Sequence, residues 1–360
     1  MRRVAVIGGG LAGLTVAFRR QAVGDQVVLF EAAPRLGGQL HSQRSAGFVV
    51  EHGAEGFTAR SQALPQLAFD LGIGDALIEQ ATTRSYGFDG SGLRLLGPGE
   101  AAQFLGFQVA RDDFGRGIRA FTTGMEAIVE ALTLALEPRV EVHTSSAVGG
   151  LEAAGTRWRV HPRASAAREF EAVVLATSSA AAAALLRDTF GATARELGAA
   201  STLSSLTVSL AYGRDQVQHP LDATGFVVAV DQQQHGFRAC TFSSSKFAGR
   251  APDSQVLLRA FFRPQPGELT TLSDATWVQR AHTALDSALS VRGQPLHAWV
   301  SRWQDALPLF DAPHLERIRT LEAQLLGTGL SLAGSAFHGS GIDAAVRSAE
   351  AAASSTAAFG

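Results

Sequence analysis

Three glycines (Gly8, Gly10, Gly13), an acid (Glu31) and a further glycine pair (Gly37, Gly38) are the residues whose types and spacing could do chemistry. The Gly-x-Gly-x-x-Gly spacing permits a tight turn and lets backbone N–H groups approach a pyrophosphate at a helix N-terminus, where negative charge is stabilised. Glu31, 18 residues beyond Gly13, stands where a carboxylate would accept hydrogen bonds from ribose hydroxyls. An acid there disfavours a ribose phosphate and so NADP; between NAD and FAD this unit alone does not choose.

The discriminating stretch follows Glu31. Arg35 with Gly37 and Gly38 supplies one charge and two flexible backbone positions, a loop able to wrap a longer ligand. Residues 47–57, GFVVEHGAEGF, read as a strand and then a turn of small residues that can approach a flat ring. Near the other end, GLSLAG runs as a strand to Gly334, and Gly339-Ser340-Gly341 opens a helix. That helix N-terminus could stabilise charge on a reduced flavin ring or a phosphate. A middle piece, VEVHTSSAVGGL and then REFEAVVLATSSA, reads as a strand, a small-residue crossing at Val148, and a strand. FAD held by segments from both ends of the chain explains all four features; NAD explains only the first.

These residues need a frame. RVAVIG is a β-branched apolar run typical of buried parallel strands, LTVAFRRQA is helical in pattern, and QVVLFE is a second strand ending on the acid. Residues 201–303 alternate like strands of a mixed sheet (LTVSLAYG, GFVVAV, FRACTF, SQVLLRAFFR, LHAWVSRW), with helical WVQRAHTALDSALSV (277–291) to pack on it. The expected fold class is α/β: a Rossmann-type FAD-binding domain with a parallel sheet, discontinuous in sequence, plus a mixed-sheet substrate domain. We expect 1–80, 122–182 and 324–360 in the first domain, and 81–121 and 183–323 in the second. Phe226, Phe242, Phe261, Phe262 and Trp303 are candidate pocket walls, although aromatics on strands usually serve the core. Lys246 could contact an acidic substrate, but a solvated turn is the expectation. The scattered histidines lack metal-ligand spacing, so no metal is expected, and FSSSKF lacks a Gly-x-Ser-x-Gly elbow.

Charged residues make up 18 % of the 360 and the formal net charge is −2, which argues against a nucleic-acid or polybasic membrane-surface binder. Cys240 is the only cysteine, so no internal disulfide is expected and a cytoplasmic setting is natural. MRRVAVIGGG has the outline of a secretion signal, but its glycines fit a phosphate loop better. The nearest approach to a membrane span, AVVLATSSAAAAALL, is interrupted by Thr177, Ser178 and Ser179, and membrane association is not expected.

Taken together, these residues resemble the protoporphyrinogen oxidase family within the amine-oxidase-like flavoproteins. FTTGMEAIVEAL (121–132), CTFSSSKFAGRAP (240–252), RWQDALPLFDAP (302–313) with HLERI after it, GFVVEHGAEGF and LAGSAFHGSGI all read like family segments, over nearly the whole chain. The resemblance implies non-covalent FAD contacts at Gly8, Gly9, Gly10, Leu11, Ala12 and Gly13, and at Glu31, Ala32 and Gln39. It implies others at Gly53, Ala54, Glu55 and Gly56, at Val148 by its backbone against adenine, and at Ser335, Ser340, Gly341 and Ile342. It also implies that Arg84 pairs with a substrate propionate, which a planar guanidinium suits; the alternative is a surface arginine on a hairpin. The implied activity is oxidation of protoporphyrinogen IX or coproporphyrinogen III, with hydride passing to flavin N5 and O2 as acceptor.

One departure bears on that activity. Before FTTGMEAI the family carries a long, mostly helical segment that builds much of the substrate cavity and the membrane-facing surface. Here Gly97–Ala120 is 24 residues, room for at most one short helix. We expect a trimmed relative with its cofactor apparatus intact and its substrate site opened. Two other functions stay open: an oxidase or desaturase of a specialised metabolite, with a protein partner supplying the missing roof, and a flavin-binding protein without turnover.

Overall fold

The computed structural model describes residues 1–97, 99–104 and 117–355. Five parallel strands form the first sheet in the order Glu141–His143, Gln26–Phe30, Arg3–Ile7, Ala172–Leu175 and Leu330–Leu332. Val4 to Ile7 and Val27 to Phe30 are buried without interruption, because helices or a second layer cover both faces. Helices Leu11–Ala22, Ala127–Leu136 and Ile342–Ser355 cover one face and share a core through Leu14, Val16, Ile128, Leu132 and Val346.

The other face is covered by an antiparallel sheet, Val148–Ala154 with Arg157–Pro162 and Arg168–Phe170, and by helices Ser179–Gly198 and Ala312–Leu325. Both helices start on side-chain caps. Ser178 Oγ accepts from the Ala181 N–H at 3.3 Å, and the Asp311 carboxylate accepts from that of His314 at 2.8 Å, with Pro313 in the first turn. Residues 183–198 and 312–323, expected with the second sheet, thus pack on the first through Leu185, Leu186, Leu197, Ile318 and Leu321. Strand Ile118–Phe121 likewise pairs with Phe57–Thr58 and Leu77–Glu79 and buries Ala120 and Phe121 in the first core. An apolar stripe reads the same in sequence whichever sheet it docks on.

The second sheet has seven strands in the order His297–Pro308, Thr202–Gly213, Gln255–Phe262, Phe237–Phe242, Gly225–Val228, Tyr86–Phe88 and Leu93–Leu95. It is mixed because Tyr86–Phe88 runs parallel to Gly225–Val228. Strand alternation splits its side chains between two faces. Leu206, Val208, Leu210, Phe226, Phe242, Leu258 and Phe262 pack against Trp277, Ala281 and Leu285 of helix Asp274–Leu289. Thr207, Ser209, Arg259 and Ser301 point the other way and are nevertheless at most 8 % exposed, because strand Phe48–Glu51 and the chain after it lie over them. A short helix, Glu100–Phe104, follows Gly97 as expected, and residues 105–116 fall outside those described.

Candidate functional site

The loop Gly8–Gly13 leaves the carboxyl end of a central strand, where open α/β sheets bind ligands. Gly8 has φ +108°, and a Cβ there would stand 2.3 Å from the Ala176 carbonyl oxygen. At Gly13 a Cβ would meet the Gly8 carbonyl oxygen at 1.8 Å, so this glycine lets the helix close onto the strand. Gly10 is different. Its backbone is extended (φ −72°, ψ 179°), and a Cβ would meet nothing nearer than the Gly38 Cα at 3.9 Å. The protein leaves room at Gly10 that its own packing does not require, which fits a phosphate approaching the loop.

Glu31 follows strand Gln26–Phe30, and its two carboxylate oxygens accept from the Gly9 N–H at 2.6 Å and the Ala33 N–H at 2.7 Å. Each oxygen keeps a further lone pair able to accept from a hydroxyl. Ala32, beside it, is exposed. The Glu31 carbonyl accepts from the Ser146 N–H at 2.8 Å, which brings the start of strand Val148–Ala154 alongside the acid. Gly37 donates to the Gly9 carbonyl at 2.8 Å, laying the Gly37–Gly38 turn against the Gly8–Gly13 loop. Arg35 holds that turn from within: its guanidinium donates to the carbonyls of Leu36, Gly38 and Leu40 at 3.0, 2.6 and 3.2 Å.

The C-terminal piece closes on the same loop. A Cβ on Gly334 would lie 3.4 Å from that of Ala12, and Leu11 and Ala12 are buried with Ile342 in the first core. Ser335 is half-buried, while Ser340 and Gly341 are exposed at the mouth of helix Ile342–Ser355. At Gly341 a Cβ would meet nothing within 4 Å among the described residues. The first N–H groups of this helix have no partner within it and face an anion-stabilising end of its dipole.

Gly53–Gly56 form the floor between the two sheets. A Cβ at Gly53 would stand 1.7 Å from the Gln39 carbonyl oxygen, and one at Gly56 would stand 2.6 Å from that of Arg119. Gln39 also donates through Nε2 to the Ala306 carbonyl at 2.8 Å, and Trp303 Nε1 donates to that of His52 at 2.7 Å. His52 is held between Gln43 and Ser301, and burial, with the charges on nearby His41, Arg259 and Arg35, brings its imidazole down to about 4. It is therefore a neutral strut near pH 7.

Lys246 corrects its expectation. It is not on a solvated turn: its ammonium pairs with Glu55 at 3.0 Å, and the two side chains are 13 % and 8 % exposed. Ser243 Oγ donates to the other Glu55 oxygen at 2.5 Å. Burial would raise the Glu55 carboxyl, but Lys246 and Arg259 with these hydrogen bonds outweigh it and hold the group below the usual range. Of the aromatics, Phe226, Phe242 and Phe262 serve the core, while Phe261 and Trp303 are half-buried on the polar face. Arg84 is half exposed and pairs with Asp222 at 2.9 Å, whose other oxygen accepts from the Tyr86 hydroxyl at 2.7 Å. Among the described residues no group of three His, Cys, Asp or Glu could hold a metal ion, and no helix is long and apolar enough to cross a membrane.

The base of this floor carries a testable charge. Glu51 is buried, accepts from Ser42 Oγ at 2.7 Å and the Met125 N–H at 2.8 Å, and lies 3.9 Å from Arg250. Burial lifts its carboxyl to about 7 despite those hydrogen bonds and the charges of Arg250 and Arg259. The folded chain holds this proton more tightly than the unfolded chain, so the stabilisation is full below pH 4.5 and is lost as pH rises through 7. Glu51→Gln should therefore gain on the wild type by ~2 kcal/mol between pH 5 and pH 8 in urea unfolding. Parallel pH curves would refute a protonated Glu51.

Fold and site together define an FAD-dependent oxidoreductase. Residues 86–355 match the family described as flavin containing amine oxidoreductase, and residues 6–70 match an NAD(P)-binding Rossmann-like domain. The chain belongs to the flavin containing amine oxidoreductases. Coproporphyrinogen III oxidase of Bacillus subtilis (strain 168) is 22 % identical over 95 % of this chain and 95 % of its own length. That of Mycobacterium tuberculosis (strain ATCC 25618 / H37Rv) is 28 % identical over 97 % and 96 %. The "Putative protoporphyrinogen oxidase" of Exiguobacterium sp. 255-15 shares the fold, with TM-score 0.84 at 23 % identity over 98 % of both chains. The Bacillus alignment runs over 455 positions against 360 residues here, so at least 95 of its positions have no counterpart in this chain.

Sequence reasoning missed Arg259, Thr207, Ser301 and His52. Arg259 had a signal: a charge in the middle of the apolar run QVLLRAFF. Thr207 and Ser209 alternate with Leu206, Val208 and Leu210, a half-polar strand whose polar side turned out to be covered.

Proposed function

We propose that this chain is a porphyrinogen oxidase, taking coproporphyrinogen III or protoporphyrinogen IX, with O2 as electron acceptor and FAD bound without a covalent link. The supporting observation is the convergence of segments far apart in sequence at the carboxyl ends of one parallel sheet, with open space beside Gly10 and Gly341. The names of the full-length relatives point to the substrate class. Gly8–Gly13 would hold the pyrophosphate, Glu31 the ribose with Ala32 beside it, and the Val148 backbone the adenine. Gln39 and Gly53–Gly56 would border the flavin ring, with Gly334, Ser335 and Ser340–Ile342 on its far side. Arg35 and Gly38 shape the covering loop.

FAD held there would supply two-electron oxidation of a substrate C–H. The protein's part is placement. Glycine backbones would admit the ring, the polar face of the second sheet would support its floor, and the site would orient the substrate edge toward the flavin. In this reading Arg84 orients a propionate after exchanging its partner Asp222 for the substrate carboxylate. The buried thiol of Cys240 suits a reducing compartment such as the cytoplasm.

A second reading has its own observation. The positions without counterpart, and the neutralisation of Arg84 by Asp222, favour a smaller reduced substrate or a partner protein that completes the site. The test is porphyrin fluorescence in air after adding protoporphyrinogen IX or coproporphyrinogen III to the FAD-saturated protein, against a no-enzyme control. Growth well above control is the expected result. A flat trace from a protein showing its yellow flavin spectrum would move the assignment to the second reading.

A further inference from the structure

We propose that Arg259 is a positioning residue for the flavin, its buried guanidinium clamping the carbonyls that lead into the ring segment and setting a fixed positive charge beside it. The inference rests on the reading that Gly53–Gly56 border the ring. Arg259 lies mid-strand in Gln255–Phe262, between Thr241 and Ser209 on the neighbouring strands, and is 3 % exposed. Among the described residues one terminal nitrogen makes the side-chain hydrogen bonds, to the Gly53 carbonyl at 2.6 Å, the His52 carbonyl at 3.4 Å and Thr207 Oγ1 at 3.4 Å. Its carbon lies 4.9 Å from the centre of the Phe261 ring, and its Nε is buried without a hydrogen-bond partner among the described residues.

Holding two carbonyls does not by itself require a charge. A guanidinium is costly to bury, and among the described residues no carboxylate lies within ion-pair distance of this one. Glu55 and Glu51 both act on it through space, but Glu55 is already paired with Lys246 and Glu51 stands beside Arg250. Two carboxylates, Glu55 and Glu51, thus face three cations, Lys246, Arg250 and Arg259, and leave at least one positive charge in excess under the segment. Hydride transfer brings two electrons and one proton to a neutral ring, which gains one negative charge. A fixed cation in a dry site favours that form. Arg259 thus raises the cofactor's reduction potential as well as fixing its floor.

The experiment measures the midpoint potential of FAD bound to the holoenzyme by dye-coupled equilibrium titration. Arg259→Met, which removes the charge and keeps bulk, is expected to weaken the reduced form relative to the oxidised about tenfold, a fall of about 30 mV for a two-electron couple. Arg259→Lys keeps the charge and should hold the potential near wild type while FAD dissociates faster. A purely structural role would loosen FAD in both variants and leave both potentials unmoved, which would overturn the inference. Should Arg259→Met not retain FAD, Arg259→Gln, which keeps a donor for the Gly53 carbonyl, carries the same comparison. Ala54→Leu separates the underlying reading: if it leaves FAD affinity and the visible spectrum unchanged, the ring is not at this segment. If Ala54→Leu disturbs both while Arg259→Met keeps the wild-type potential, only the role of Arg259 falls.

Discussion

Gly10→Ala is expected to leave the apoprotein melting within about 2 °C of wild type while FAD binds about a hundredfold more weakly. Gly10 is the N-cap of helix Leu11–Ala22 with an extended backbone that any residue adopts. Alanine there gives up a few tenths of a kcal/mol of capping preference, to ~1 kcal/mol at most. Its Cβ would stand 3.9 Å from the Gly38 Cα and meet nothing else within 4 Å among the described residues. In the proposed reading the glycine answers to a pyrophosphate lying on the loop, which the Cβ would push away. Gly13→Ala makes the contrast. Its Cβ would lie 1.8 Å from the Gly8 carbonyl oxygen, backbone on both sides, so the helix must lift from the strand. That should cost ~3 kcal/mol or more, and several degrees of melting temperature, before any ligand is added. Thermal melts of both apoproteins beside flavin-fluorescence titrations separate the two effects. Wild-type FAD affinity in Gly10→Ala would remove the pyrophosphate from this loop.

The parallel sheet was legible because burial on both faces leaves continuous apolar strands, and the strands end on residues that chemistry selects, Gly8 and Glu31 among them. The mixed sheet was legible too, since LTVSLAYG alternates and QVLLRAFF is apolar apart from Gln255 and Arg259. What the sequence did not carry was which surface lies over which. Thr207, Ser209 and Ser301 look like a solvent-facing edge, and only the fold shows that Phe48–Gly56 covers them. Lys246 sits in a run of small polar residues that reads as a turn, yet its partner Glu55 is 191 positions away. Long-range ion pairs leave no local trace, so a charge that pairs in the fold reads as solvated. Helix Ser179–Gly198 failed in a similar way: its alanines give a helix without saying which sheet receives it.

Glu31→Ala should cost more affinity than any other single change in the ribose region, about two to three orders of magnitude in the FAD dissociation constant. The carboxylate has two tasks. One lone pair on each oxygen is committed to a backbone N–H, from Gly9 at 2.6 Å and Ala33 at 2.7 Å, which fixes the loop and the turn after the strand. In the proposed reading the remaining lone pairs accept from ribose hydroxyls, and hydrogen bonds to a charged acceptor contribute ~1.5–3 kcal/mol each. Alanine removes both sets. Glu31→Gln divides them, because its single carbonyl oxygen can still accept from one N–H and one hydroxyl while its amide nitrogen can only donate. It should therefore fall between wild type and alanine, about tenfold to thirtyfold weaker than wild type. Isothermal titration with FAD, paired with melts of the three apoproteins, tells the tasks apart. A lowered melting temperature in Glu31→Ala with undiminished FAD affinity would leave Glu31 as a brace for the loop and nothing more. Graded loss of affinity across glutamine and alanine, at similar apoprotein stability, would put the ribose on its carboxylate.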